Sequence, residues 1–199
     1  MPTIQYTGMI PGSLSRWCPV LVSAFCISGN LFAQPANDNP CGAIALPVNA
    51  ACAATAGTRN GATATVYAPV IPAPGCANYT GADVWYRVVV PANGAVSIRS
   101  TAGTLTDGGM AAYSSTGCAN GNTFTFIECD DDDGPGNMPQ LDLTCLTPGA
   151  TIYIRFWRYG GSGGQTFSIC AVSMVVTAPP ANDNPCTATA LPVNTTCIT

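Results

Sequence analysis

The sequence contains no histidine and no lysine. Without histidine, a Ser-His-Asp triad, a Cys-His pair and a histidine-ligated metal centre are all excluded within these residues. Charge is scarce altogether: 8% of the 199 residues are charged, all six basic residues are arginine, and the formal net charge is −4. An acidic chain with five arginines after residue 33 has no electrostatic footprint for nucleic acid. No two cysteines are spaced C-x-x-C, which argues against zinc ribbons and thioredoxin-like chemistry. The one sustained apolar run, Trp17–Ile27, is shorter than the roughly 20 residues a membrane helix needs. No stretch carries a sustained amphipathic helical period.

What is present is turn chemistry and short alternation. Glycine (21) and proline (17) are frequent, and Asn60-Gly61, Asn93-Gly94, Asp107-Gly108, Asn120-Gly121 and Pro148-Gly149 punctuate the chain. Between such points about eight short strands are expected. Nine segments are the candidates for them: 44–48, 52–57, 62–67, 84–90, 95–100, 110–114, 123–128, 151–157 and 165–172. Short strands at regular spacing predict an all-β, antiparallel sandwich of jelly-roll-like form. Alternation assigns faces. Val84, Tyr86, Val88 and Val90, with Ile152, Ile154 and Phe156, read as core. The opposite faces carry Trp85 and Arg87, and Tyr153, Arg155, Trp157 and Tyr159. Those six form a candidate platform for a sugar ring or a partner protein. The competing reading is that a loop or a neighbouring domain covers this face.

The chain is internally repeated. PANDNPC occurs at 35–41 and again at 180–186, and residues 35–54 match 180–199 at 14 of 20 positions, an offset of 145 residues. That offset is the size of a domain, not of a solenoid repeat. The expected organisation is a signal peptide (1–33), one complete β-sandwich repeat (34–179) and the truncated start of a second repeat (180–199). The signal reading rests on Arg16 ahead of the apolar run and the small Ala33 at its end. Export fixes the redox reading: nine cysteines remain after residue 33, and outside the cytosol most should be disulfide-bonded. Seven fall in the complete unit, so one is left over. Cys118 and Cys129 flank the Asn120-Gly121 turn, and a hairpin there would bring them together. Cys145 follows Leu141 and Leu143 at period two and reads as a small buried side chain.

The only dense charge cluster is Asp130 to Asp133. Adjacent carboxylates repel unless solvated or sharing a cation. An EF-hand is excluded by register, because with Gly134 as the sixth position the first and twelfth ligands would be Cys129 and Gln140. Four neighbours in a glycine-rich loop do not frame a scissile bond from two sides, which argues against glycoside hydrolysis. Calcium, which takes oxygens from flexible loops, is the cofactor this segment suggests. Asp107, Asp130 and Asp132 are the candidate ligands, against a solvated acidic loop as the alternative.

Several blocks together carry a family likeness: NDNPC, GADVWYRVVVPANGAVSI, DGGMAAYSSTGC, FIECDDDDG, LTPGATIYIRFWRYGG and a final TFSIC strand. In this order they resemble the bacterial pre-peptidase C-terminal β-sandwich, in the cysteine-rich tandem form of secreted Bacteroidota surface proteins, over most of residues 35–172. The resemblance implies a non-catalytic, secreted or cell-surface module for adhesion, spacing or carbohydrate or protein binding, sometimes with calcium. The alternative is an accessory domain of a secreted peptidase. Its partners would be a carbohydrate or protein ligand at the bacterial cell surface and neighbouring repeats of the same chain, with no membrane span after signal cleavage. Against that pattern Cys145 is the unusual cysteine, leaving Cys41, Cys52, Cys76 and Cys170 beside the Cys118–Cys129 pair. Cys41–Cys170 with Cys52–Cys76 is preferred, Cys41–Cys52 with Cys76–Cys170 is the rival, and sequence does not choose between them.

Overall fold

The computed structural model describes residues 33–161 and 163–175, with the single positions 8 and 190. All but Gly8 belong to one compact unit, Leu31–Thr199. The signal and second-repeat expectations therefore lie outside the described residues.

Ten strands form two sheets packed face to face, β1 (Ile44–Ala45), β2 (Val48–Asn49), β3 (Thr55–Thr58), β4 (Val84–Val89), β5 (Val96–Ala102), β6 (Gly108–Ser115), β7 (Phe124–Asp130), β8 (Gln140–Leu143), β9 (Thr151–Arg158) and β10 (Thr166–Ser173). The first sheet has the order β1-β4-β9-β6-β7 and the second β2-β10-β5-β8, with β3 also on β10. Described residues include two single 3-10 turns, at Pro40–Gly42 and Gly121–Thr123, and no α-helix. This is the expected all-β sandwich.

The core lies between the sheets and comes from one alternating set on each strand. Val84, Tyr86 and Val88 meet Ile152, Ile154 and Phe156 from the first sheet; Val96, Ile98, Leu141, Leu143, Phe167 and Ile169 face them from the second. Period-two alternation forces this: a register slip of one residue would turn every one of these side chains to the wrong face.

Three strand expectations are corrected. The pairing is not wholly antiparallel: β1 runs parallel to β4 and β2 parallel to β10. The single expected strand 44–48 breaks at Leu46-Pro47, so that its halves join different sheets. Residues 62–67 alternate like a strand yet form none. Side chains replace the neighbouring strand there, since Thr63 N donates to the Asp38 carboxylate (2.6 Å) and Thr65 N to Asp83 (2.9 Å). The short β8, with Leu141 and Leu143 inward and Asp142 exposed, was too brief to stand out beside the aspartates.

The disulfides use the six expected cysteines in different pairs: Cys41–Cys118, Cys52–Cys170 and Cys76–Cys129. Cys118–Cys129 fails because the hairpin does not set them opposite one another. Cys118 lies in the turn, whereas Cys129 lies near the far end of β7 opposite Ala111. Five residues beyond the first of β7, it is roughly 17 Å along an extended strand. Cys41–Cys170 and Cys52–Cys76 fail because the chain crosses between sheets at Leu46-Pro47. That crossing leaves Cys41 with the first sheet and delivers Cys52 to β10. Each bond closes a long loop, separations being 77, 118 and 53 residues, and such closures contribute about 2–4 kcal/mol each. Cys145 is free and, contrary to the expected burial, exposed with φ 57°.

Candidate functional site

The outer face of the first sheet carries the aromatic set, as alternation predicts, but it is not open. Trp85 and Trp157 are 0% exposed, Tyr153 7% and Arg155 3%. These four are therefore not a ligand platform. The segment 59–83, between β3 and β4, lies across them, and a second apolar cluster forms beneath it from Trp85, Trp157, Tyr113, Phe124, Tyr153, Ile71 and Ala77.

The polar tip of each large aromatic holds that strap. Trp85 Nε1 donates to Thr65 Oγ1 (2.7 Å), Tyr113 OH to the Pro72 carbonyl (2.9 Å), and Trp157 Nε1 to the Ala77 carbonyl (2.8 Å). A buried Trp or Tyr needs such a partner, and here the partners space themselves along one segment. Cys76–Cys129 bonds the strap to β7. Arg59 closes its near end, donating to the carbonyls of Ala82 (2.9 and 2.6 Å) and Gly163 (3.0 Å). Burial first, then the neighbouring Arg158, lowers the Arg59 guanidinium to about 10.

Beneath the strap lies the one ion pair of the described residues. Arg155 Nε meets Asp83 Oδ2 at 2.6 Å, with both side chains buried. Asp83 also accepts from Thr65 N (2.9 Å), Thr65 Oγ1 (2.9 Å) and Tyr79 OH (3.2 Å). Arg155 Nη2 bonds Tyr79 OH, and the guanidinium stacks on the Tyr79 ring, 4.1 Å from its centroid. Burial, with the Asp83 charge second, drives the Tyr79 hydroxyl well above the usual phenol range. Four donors thus fill the Asp83 carboxylate, two on each oxygen. Asp83 was missed by sequence reasoning; the available signal was its isolation, as the single acidic residue between Asp38 and Asp107.

Two members of the predicted platform stay exposed, at opposite ends. Arg87 borders a cleft of about 420 Å³ with Ala45, Val48, Val89 and Thr151. Tyr159 is 42% exposed, and its N–H donates to the Asp107 carbonyl (3.2 Å). They do not form one surface.

At the Tyr159 end the structure gathers carboxylates. Asp107, Asp131 and Asp132 each offer an oxygen, all within 4.8 Å of one another. Asp130, expected as a ligand, instead accepts from Asp133 N (3.1 Å) and Gln140 N (2.9 Å) and closes the loop. The expectation assumed an extended chain, in which Asp130 and Asp132 share a side; β7 ends at Asp130 and the chain turns at once. Asp131 takes the vacated place. One of its oxygens, Oδ1, is buried without a hydrogen-bond partner. Gly108 N donates to Asn137 O (3.1 Å) and joins the two turns, while Gly134 N donates to Met138 O (2.8 Å) within the acidic loop. Partial burial first and Asp132 second raise the carboxyl of Asp107, and Asp131 is raised by burial, then by Asp132, Asp107 and Asp130.

Comparison with known proteins gives several structural likenesses, among them the following two. The chain is similar to the pre-peptidase C-terminal domain of a collagenase from Bacillus anthracis, at 11% identity and a TM-score of 0.41, covering 65% of this chain and 93% of that one. It is also similar to the Yersinia pseudotuberculosis-derived mitogen, at 14% identity and a TM-score of 0.36, covering 65% of this chain and 92% of that one. No family model and no curated protein matches the sequence.

Proposed function

We propose that this chain is a non-catalytic, exported β-sandwich module, joined in series to a second copy beginning at residue 180, and that its acidic end holds calcium. Three disulfides joining strands and loops suit an oxidising compartment, and the offset repeat supports the serial arrangement. The non-catalytic reading is supported by how the buried polar groups are used, since those of the covered face all fasten the strap.

The buried, unpartnered Asp131 Oδ1 carries the calcium reading. Such an oxygen is costly unless something donates to it or binds it. Two oxygens on one calcium stand at most roughly 5 Å apart, twice the bond length, so the 4.8 Å spread fits. Asp107, Asp131 and Asp132 would hold the ion. It would neutralise their mutual repulsion and tie the 107 turn to the 130–138 loop.

Thermal unfolding of the whole chain tests this. Calcium should raise the melting temperature and a chelator should reverse it, because a ligand bound only by the folded state stabilises it by about 2.7 kcal/mol at 100 times its Kd. Asp131→Asn should abolish the response. No calorimetric heat at millimolar calcium, with an unchanged melting temperature, would remove the metal from the reading. The block order given above also supports an accessory role beside a secreted peptidase. The full reading frame decides between them: further copies and a sorting tail favour the surface module, whereas an HExxH segment or a serine-protease domain favours the accessory one.

A further inference from the structure

The strap stops short of one end of the first sheet. It closes over Trp85, Arg155 and the ring of Tyr153. Arg87, opposite Tyr153, and Val89, opposite Thr151, are left outside it on the same outer face. They border the cleft of about 420 Å³, a volume within the usual range of ligand sites.

The edge of β4 is open at the same place. Trp85 N donates to Asn37 O (2.8 Å) and Arg87 O accepts from Leu46 N (2.8 Å), so these residues aim their backbone groups away from β9. Val90 N instead donates to Ala150 O (2.9 Å), on the β9 side. Alternation gives Val89 the outward direction. β1, however, pairs only with Tyr86 and Arg87, because the chain crosses to the second sheet at Leu46-Pro47. The Val89 N–H and C=O therefore face an open edge, the arrangement to which an extended chain adds as a strand. The Val89 side chain is 59% exposed beside them.

Charge indicates what would sit there. Arg59, Arg99 and Arg155 each donate hydrogen bonds within the protein. Among the described residues, no hydrogen bond or ion pair engages the Arg87 guanidinium. A guanidinium in this state favours a carboxylate, which it can hold through two parallel bonds. Pro47, Val48 and Val89 make much of the remaining wall apolar. A sugar would need a bare ring face, and the one aromatic of the cleft, Tyr153, has its ring packed against Phe124, 5.2 Å between centroids.

We propose that this cleft takes the carboxyl terminus of an extended apolar peptide, with the carboxylate on Arg87, the last backbone groups on Val89 and the terminal side chain beside Val48. The inference does not rest on the calcium reading or on the serial arrangement.

The test is titration of the whole 15N-labelled chain with N-acetyl-Ala-Val-Val bearing a free carboxylate, followed by amide chemical shifts. The Val89 and Thr151 amides should move and saturate in the millimolar range. The same peptide as its C-terminal amide should bind roughly tenfold more weakly, the scale of one charge-assisted hydrogen bond. Arg87→Gln should weaken the free acid by a similar factor while leaving the spectrum unchanged away from the cleft, since Arg87 is exposed. Arg99→Gln removes the same charge from the second sheet and should bind as the wild type does. No shift at Val89, equal affinity for acid and amide, or an equal loss in Arg99→Gln would each overturn the proposal. Glucuronic acid binding as tightly as the peptide would overturn it as well, by making the cleft a site for acidic sugars.

Discussion

Replacing Asp83 by Asn removes one charge beneath the strap and changes almost nothing in volume. The carboxylate accepts from Thr65 N, Thr65 Oγ1, Tyr79 OH and Arg155 Nε, two donors on each oxygen. Whichever way an amide is turned, its NH2 faces a pair of these donors. Arg155 then remains a buried cation, 3% exposed, with no anion beside it. Breaking one side of a buried pair costs about 3–5 kcal/mol, a large fraction of the roughly 5–15 kcal/mol that holds a domain folded. At roughly 2–4 °C per kcal/mol for a domain of this size, the melting temperature should fall on the order of 10 °C. Urea unfolding followed by tryptophan fluorescence is the assay, since Trp85 and Trp157 both lie against the strap. A double change, Asp83→Asn with Arg155→Met, should recover much of the loss by removing the orphaned charge. A loss under about 1 kcal/mol for Asp83→Asn, the range of an exposed pair, would refute the covered-face description, because it would mean that water reaches Arg155.

Trp157→Ala should cost about 3–5 kcal/mol, the range for truncating a core aromatic, and urea unfolding checks it; an exposed binding residue would cost little. The raised carboxyls of Asp107 and Asp131 set a pH dependence for the metal-free protein. Where the folded value lies above the unfolded one, the stabilising contribution is complete below the unfolded value and is lost as pH rises through the folded one. Stability without calcium should therefore increase on acidification through the window just above the ordinary aspartate value, and calcium should have most effect at neutral pH; melting temperatures with and without chelator across that window measure both. Cys145→Gly should stabilise by up to about 1 kcal/mol, because φ 57° is a conformation that glycine adopts freely, and denaturant midpoints would register it.

Sequence periodicity by itself determined which side chains face the core. Alternation along 84–90 and 151–157 sends Tyr86 and Ile154 one way and Trp85 and Arg155 the other, whatever the sheets then do, because successive residues of a strand must point oppositely. Turn residues likewise marked most strand ends, and the odd count of seven cysteines in residues 34–179 marked that one would be left over, which is Cys145. Tertiary structure decided everything that depends on distant segments meeting. Whether an aromatic face is bare or covered depends on where a 25-residue connection lies, and nothing local in Trp85 or Trp157 records the Thr65 and Ala77 atoms that receive their N–H groups. The cysteine pairs follow from the crossing at Leu46-Pro47, which only the packed sheets reveal. Asp131 in place of Asp130 follows from a chain that stops being extended at Asp130, whereas a shared side for Asp130 and Asp132 assumed extension through Asp132. These are long-range or turn-level facts, and strand periodicity, being local, has no term for them.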